Sequence, residues 1–186
     1  MAMSTKLESF EERIQIPDDV KVSLEDFRLK VTGKLGSNEY DFSHMGIGLF
    51  LDGKEIVVRV LGNKRRSKAM LGTAVSIIKN MLTGVTKGFT YKMKVVASHF
   101  PISVKVSGDE VIIENFLGER YKRRAKIVGN TKVVVKGEDV IVSGIDKYAV
   151  GQTAANIENA TRIKKKDPRK FLDGIYVYKK MEGLES

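Results

Sequence analysis

An α+β fold is predicted for this chain: two similar domains from an internal duplication, each an antiparallel β-sheet with a helix packed on one face. Three observations lead there. Ile16-Pro17-Asp18-Asp19-Val20-Lys21-Val22-Ser23 can be laid over Phe100-Pro101-Ile102-Ser103-Val104-Lys105-Val106-Ser107, 84 residues later, so each half opens with an apolar residue, a proline and a Val-Lys-Val strand. In both halves short alternating strands precede one longer stretch with helical spacing. Between them, Gly84-Val85-Thr86-Lys87-Gly88 has the composition of a boundary.

The elements follow in order. Residues 1–15 are assigned to an N-terminal extension, leaving 16–86 as the first domain, 87–180 as the second and 181–186 as a tail. After the Val-Lys-Val strand a second strand follows a short polar turn, Phe27–Val31 behind Glu25-Asp26 in the first half and Val111–Ile113 behind Gly108-Asp109-Glu110 in the second. A later strand, Ile56–Val60 or Val140–Val142, leads into the helix. The first helix is expected over Ser67–Leu82, with Met70, Ala74, Ile77, Ile78, Met81 and Leu82 on one face and Gly84 as its stop. The second is expected over Lys147–Thr161 behind the N-cap Asp146, burying Val150, Ala154, Ile157 and Thr161. Phe89, Tyr91, Met93 and Val95 alternate with Thr90, Lys92 and Lys94, a strand of the second sheet with its lysines outward.

Composition narrows the function classes. The chain has 186 residues, 42% of them hydrophobic, enough to bury one modest core or two small ones. Cysteine is absent, which excludes disulfides, thiolate catalysis and Cys-based zinc sites. No apolar run approaches the length of a membrane span, and Met1–Arg13 lacks the apolar stretch of a secretory signal, so a soluble intracellular protein without membrane association is expected. The formal net charge is +10, which points to a polyanionic partner.

Catalysis finds little support. Asp18-Asp19 and Glu11-Glu12 are adjacent carboxylates whose side chains face apart. His44 and His99 have no cysteine, no nucleophile elbow and no spaced carboxylate beside them, so a structural or RNA-facing role suits them better. Gly46-Ile47-Gly48 lacks the third glycine of a dinucleotide fingerprint. Asn159-Ala160-Thr161 has the form of a glycosylation acceptor but no signal peptide to deliver it. No enzyme activity, cofactor, metal or small-molecule substrate is expected.

The cations fall in three blocks. Residues 62–94 hold eight basic residues and no acid. Within them Lys64, Arg65, Arg66 and Lys68 lie in the loop entering the first helix, where side chains and free backbone N–H groups can both meet phosphate. Lys92 and Lys94 add outward charge. In the second block, Arg120, Lys122, Arg124 and Lys126 share one face of a strand-like run, opposite Tyr121, Arg123 and Ala125. The third has eight basic residues against two acids between Arg162 and Lys180. Pro168 biases it toward extended backbone up to a turn at Asp173-Gly174, where Gly174 is expected to need positive φ. Arg162, Lys164, Lys165, Lys166, Arg169, Lys170 and Lys179 are its phosphate and 2′-hydroxyl ligands, Tyr176 a stacking candidate, and Phe171, Ile175 and Val177 a final core strand.

Arg169, Phe171, Asp173, Gly174 and Tyr176 stand at the spacing of a C-terminal signature, and similar wording appears in Gly84–Met93, in His99-Phe100-Pro101-Ile102 and in Asn115-Phe116-Leu117-Gly118-Glu119. In these segments the chain resembles the archaeal and eukaryotic branch of the large-subunit ribosomal protein L6 family. Asn159 stands where that signature commonly opens with Gln. The resemblance implies two similar α+β domains and a structural role in the large ribosomal subunit, in the cytoplasm. It further implies a place on large-subunit rRNA beside the sarcin-ricin loop, next to other large-subunit proteins and close to where translation GTPases dock. The rivals are a non-ribosomal RNA-binding regulator of the same fold and, more remotely, an RNA-modifying enzyme.

Overall fold

Alternating side chains over residues 21–41 build the first sheet of the computed structural model of this protein, whose structure describes residues 9–62, 64–164, 166, 167 and 169–185. Strands β2 (Lys21–Glu25), β3 (Arg28–Gly33) and β4 (Gly36–Asp41) form an antiparallel meander in the order β2-β3-β4, after β1 (Ser9–Gln15). A 3₁₀ turn at Ser43–Met45, ended by Gly46 at φ 60°, redirects the chain into β5 (Gly48–Asp52) and β6 (Glu55–Leu61). These two join β1 in a second antiparallel sheet of order β1-β6-β5, and helix α1 (Arg65–Thr86) follows.

The plan then recurs. Strands β7 (Phe89–Val96), β8 (Ser103–Ser107), β9 (Glu110–Glu114), β10 (Arg123–Lys126), β11 (Lys132–Lys136) and β12 (Asp139–Gly144) precede helix α2 (Lys147–Ala160) and strand β13 (Gly174–Glu182). One sheet has the order β10-β9-β8, the other β11-β12-β7-β13, both antiparallel throughout. The chain divides into two compact units between Thr86 and Lys87. Each unit has its own core, one centred on Leu29, Val31, Ile56, Ile78 and Val85, the other on Met93, Val111, Ile113, Val142 and Ile157. Each fully buried aliphatic side chain of this kind contributes about 1.5–3 kcal/mol.

Four expectations change. Each half carries two small sheets where one was drawn, because the turns after β4 and β10 carry the chain out of the meander: Gly46 at φ 60° stands in the first and Gly129 at φ 57° in the second. Residues 9–15, assigned to an extension, are instead strand β1, pairing along β6 from Ser9↔Leu61 to Gln15↔Glu55 with Ile14 buried. By order in its sheet β1 is the counterpart of β7, which makes the duplication more complete than the sequence overlay suggested. The tail is likewise structured in part: Met181 and Glu182 complete β13, and Gly183 N–H donates to Gly88 O at 2.8 Å.

Gly84 does not stop α1. It is buried inside the helix, which runs on to Thr86, and Gly88 at φ 79° makes the exit. A Cβ on Gly33 would lie 2.7 Å from Val85 O, so the β3–β4 turn packs directly on the last turn of α1 only because this position is glycine. In the second unit the Asp146 side chain accepts from Tyr148 N–H at 2.9 Å, the expected N-cap. Thr161 ends α2, its hydroxyl donating to Glu158 O and accepting from Ile175 N–H at 3.0 Å, which ties the helix to β13.

Candidate nucleic-acid interface

Which cations remain available to a ligand is decided by which carboxylates the fold brings to them. At the start of α1, Lys64 precedes the helix and Arg65, Arg66 and Lys68 occupy its first turn, where no acidic residue stands. All four are exposed and make no ion pair among the described residues. Cations at the positive end of a helix dipole are unfavourable by themselves, and an anion there relieves both the repulsion and the unpaired N–H groups.

The outward lysines of β7 are a different case. Lys92 Nζ lies 2.7 Å from Glu185, with only 20% of its side chain exposed, and Lys94 reaches Glu138 at 3.2 Å and Asp139 at 3.6 Å. Hydrogen bonds donated to those carboxylates, Glu185 for Lys92 and Glu138 for Lys94, raise both ammonium pKa values. Both lysines, expected to contact RNA, are paired with the fold's own acids in the free chain.

The stripe from residue 120 to 126 is half realised. Strand β10 begins only at Arg123, so Arg120 and Lys122 precede it. Lys122 pairs with Glu114 at 2.8 Å and Arg124 with Glu110 at 3.3 Å. Hydrogen bonds from Lys122 and Lys105 hold the Glu114 carboxyl below its usual range. Arg120 and Lys126 are exposed and unpaired among the described residues. The residue that sequence spacing placed on the opposite face, Arg123, is the organised one: its Nε and Nη2 donate to Glu119 at 2.8 and 2.6 Å, its Nη1 to Ala160 O at 2.8 Å, and its guanidinium lies 4.3 Å from the Phe116 ring centre. The Glu119–Arg123 spacing of four was the signal available for it.

Beyond α2, Arg162, Lys164 and Lys166 are exposed, and Lys165 lies outside the described residues. Lys166 Nζ sits 4.6 Å from the Phe171 ring centre, and His99 stacks on Phe171 at 4.5 Å. Arg169, 88% exposed, donates to Asp167 at 2.9 and 3.1 Å, and those bonds lower the Asp167 pKa; Lys170 is free among the described residues. The Asp173-Gly174 turn is not an exposed hairpin. Asp173 is 1% exposed and its carboxylate accepts from Ser98 N–H at 2.8 Å and His99 N–H at 2.9 Å, with His99 Nδ1 2.6 Å away. Burial pushes its pKa up, but the bonds from His99 and Ser98 outweigh burial and hold it below the usual range.

Gly174 opens β13 without positive φ, contrary to expectation, and its lack of a side chain makes room for the Tyr176 ring, which a Cβ would meet at 2.7 Å. Tyr176 is thus braced by the segment leading into its strand, its hydroxyl donating toward the carbonyls of Leu172 and Asp173 at 3.2 Å each, with part of the ring exposed. Lys179 is exposed on β13. Phe171 falls before the strand and Ile175 within its core face. Among the described residues no group of three His, Cys, Asp or Glu side chains is arranged to hold a metal, and no helix is long and apolar enough to cross a membrane.

Among the described residues the predicted cations left open gather at the start of α1 and at the end of α2 with its following segment, with Arg120 and Lys126 flanking the paired residues of the middle block. Residues 16–88 and 100–174 each match the family described as Ribosomal protein L6, one match per structural repeat. The chain belongs to the ribosomal protein L6 family. It is 51% identical over 170 residues to the large ribosomal subunit protein uL6 of Aeropyrum pernix, covering 91% of this chain and 93% of that protein. The protein of the same name from Archaeoglobus fulgidus is 46% identical over 185 residues, covering 96% and 94%, and that of Methanosphaera stadtmanae 51% over 182 residues, covering 97% and 99%. The second L6 match ends at Gly174, so it takes in the basic segment and its Asp173 anchor, while most of β13 lies beyond it.

Proposed function

We propose that this chain is a structural constituent of the large ribosomal subunit, in the cytoplasm, held on large-subunit rRNA by the open cations at the start of α1 and after α2. The observation that carries the reading is that these unpaired cations sit on both repeats of an L6-family chain whose relatives are large-subunit proteins. Phosphate contacts from two rigid units fix RNA helices relative to one another without chemistry. The role is therefore to support subunit assembly and translation. Family resemblance supports the finer placement beside the sarcin-ricin loop, with other large-subunit proteins as neighbours and translation GTPases docking close by. No catalytic step, cofactor or small-molecule substrate belongs to the proposal.

Sedimentation of the tagged chain from lysate at low and high salt tests it. Co-migration with large subunits that survives high salt is the expected result. Recovery in light fractions at both salts would refute the proposal and favour a free RNA-binding regulator of the same fold.

A further inference from the structure

The last turn of α2 and the loop Asn115–Glu119 enclose an open hollow of about 530 Å³ in the second unit, within the range of small-ligand sites. Four exposed cations rim it: Arg124, Arg162, Lys164 and Lys166. Its acid is Glu119, already neutralised by the two bonds from Arg123. Half-buried Leu117 and Ile163 give it an apolar part. The walls are held stiffly. Arg123 uses all three guanidinium nitrogens to tie the loop to the α2 carboxyl end, and the loop keeps Leu117 at φ 51°, a left-handed value that a leucine holds only where its surroundings impose it.

A duplex presents its phosphates on a convex ridge and keeps its bases stacked inside. A concave site with cations at the rim and aliphatic side chains within suits a nucleotide that has left the stack. We propose that this hollow is a receptor for one unpaired ribonucleotide of the bound RNA, its phosphates on Arg124, Arg162, Lys164 and Lys166 and its base or ribose against Leu117 and Ile163. Arg124 gives up its exposed pairing with Glu110 to do so. Arg123 and Glu119 are positioning residues that shape the site without touching the nucleotide. The inference rests on the reading of the chain as an rRNA-binding protein.

The test measures binding of the full chain to a mixed-sequence single-stranded ten-nucleotide RNA, to a fully paired RNA duplex and to free AMP, across a salt series. R162Q/K164Q is expected to weaken single-strand binding about tenfold and to lower its salt slope by about 1.4, with a smaller effect on the duplex. R65Q/R66Q, which removes as much charge from α1, is expected to do the reverse. R123K keeps the charge but loses the fork that sets the walls, and L117N, whose new side chain tolerates the left-handed backbone, removes the apolar part. Each is expected to weaken single-strand binding alone, with urea midpoints confirming that the variant is folded. Single-strand and duplex binding falling equally in all four variants would overturn the receptor while leaving RNA binding intact. Saturable AMP binding abolished by R162Q/K164Q, without an effect on the oligonucleotide, would reassign the hollow to free nucleotides and also overturn it. Failure of the unmodified chain to bind either RNA or its rRNA would overturn the underlying reading together with this one.

Discussion

Replacing Asp173 by Asn is expected to loosen the anchor of the basic C-terminal segment, and its size can be worked from the geometry. Three bonds converge on the buried carboxylate: the N–H groups of Ser98 and His99 on Oδ1, and His99 Nδ1 beside Oδ2. The Asn carbonyl can keep the two backbone bonds but without charge, and its amide presents a donor to His99 where the carboxylate presented an acceptor. Hydrogen bonds to charged groups are worth about 1.5–3 kcal/mol and neutral ones about 0.5–1.5, so the three together should cost on the order of 2–3 kcal/mol. That corresponds to a urea midpoint lower by about 1–2 M for a unit of this size. Tyrosine fluorescence is a suitable probe because five of the six tyrosines lie in the second unit.

The pH dependence has a fixed sign. The folded-state pKa of Asp173 is lowered, so its contribution is fully present above the unfolded value of about 3.9 and is lost as pH falls through the folded value. The gap between the native chain and D173N should therefore hold its size near neutrality and close on acidification below about pH 4. An unchanged midpoint for D173N at pH 7, or a gap that widens in acid, would refute the reasoning.

Other consequences are equally specific. G33A should destabilise the first unit by about 1–3 kcal/mol, since the added methyl meets the Val85 carbonyl, and urea unfolding reads it directly. I113A should cost about 2–5 kcal/mol in the second unit by emptying a fully buried position, with the same measurement. R66Q should lower the slope of log affinity for rRNA against log salt by about 0.7–0.9, whereas K94Q, whose lysine is already paired with Glu138 and Asp139, should leave it nearly unchanged. Equal slopes for those two variants would remove the distinction between open and committed cations.

The duplication and both helices were legible because proline-flanked Val-Lys-Val strands and helical apolar spacing are local signals. Strand β1 was not, since Phe10 and Ile14 alone mark its inner face and its partner β6 lies some forty residues on. The end of α1 was misread for a related reason: Gly84 stays helical because the site is buried, a tertiary fact. Charge density located the cation blocks but could not sort them. Lys92 is neutralised by Glu185, beyond β13, and Lys94 by Glu138, in the turn between β11 and β12, both remote in sequence. Asp173 read as a surface turn, yet it is buried because the fold brings residues 98 and 99 onto it from 74 and 75 positions away.

The most direct test of the account is ultraviolet cross-linking of purified large subunits followed by mapping of the RNA-linked peptides of this chain. The account predicts links within residues 64–68 and 162–170 to large-subunit rRNA, and none through the paired Arg13, Lys54 and Lys94. Links confined to the paired cations, or no RNA-linked peptide from subunits that contain the chain, would contradict it.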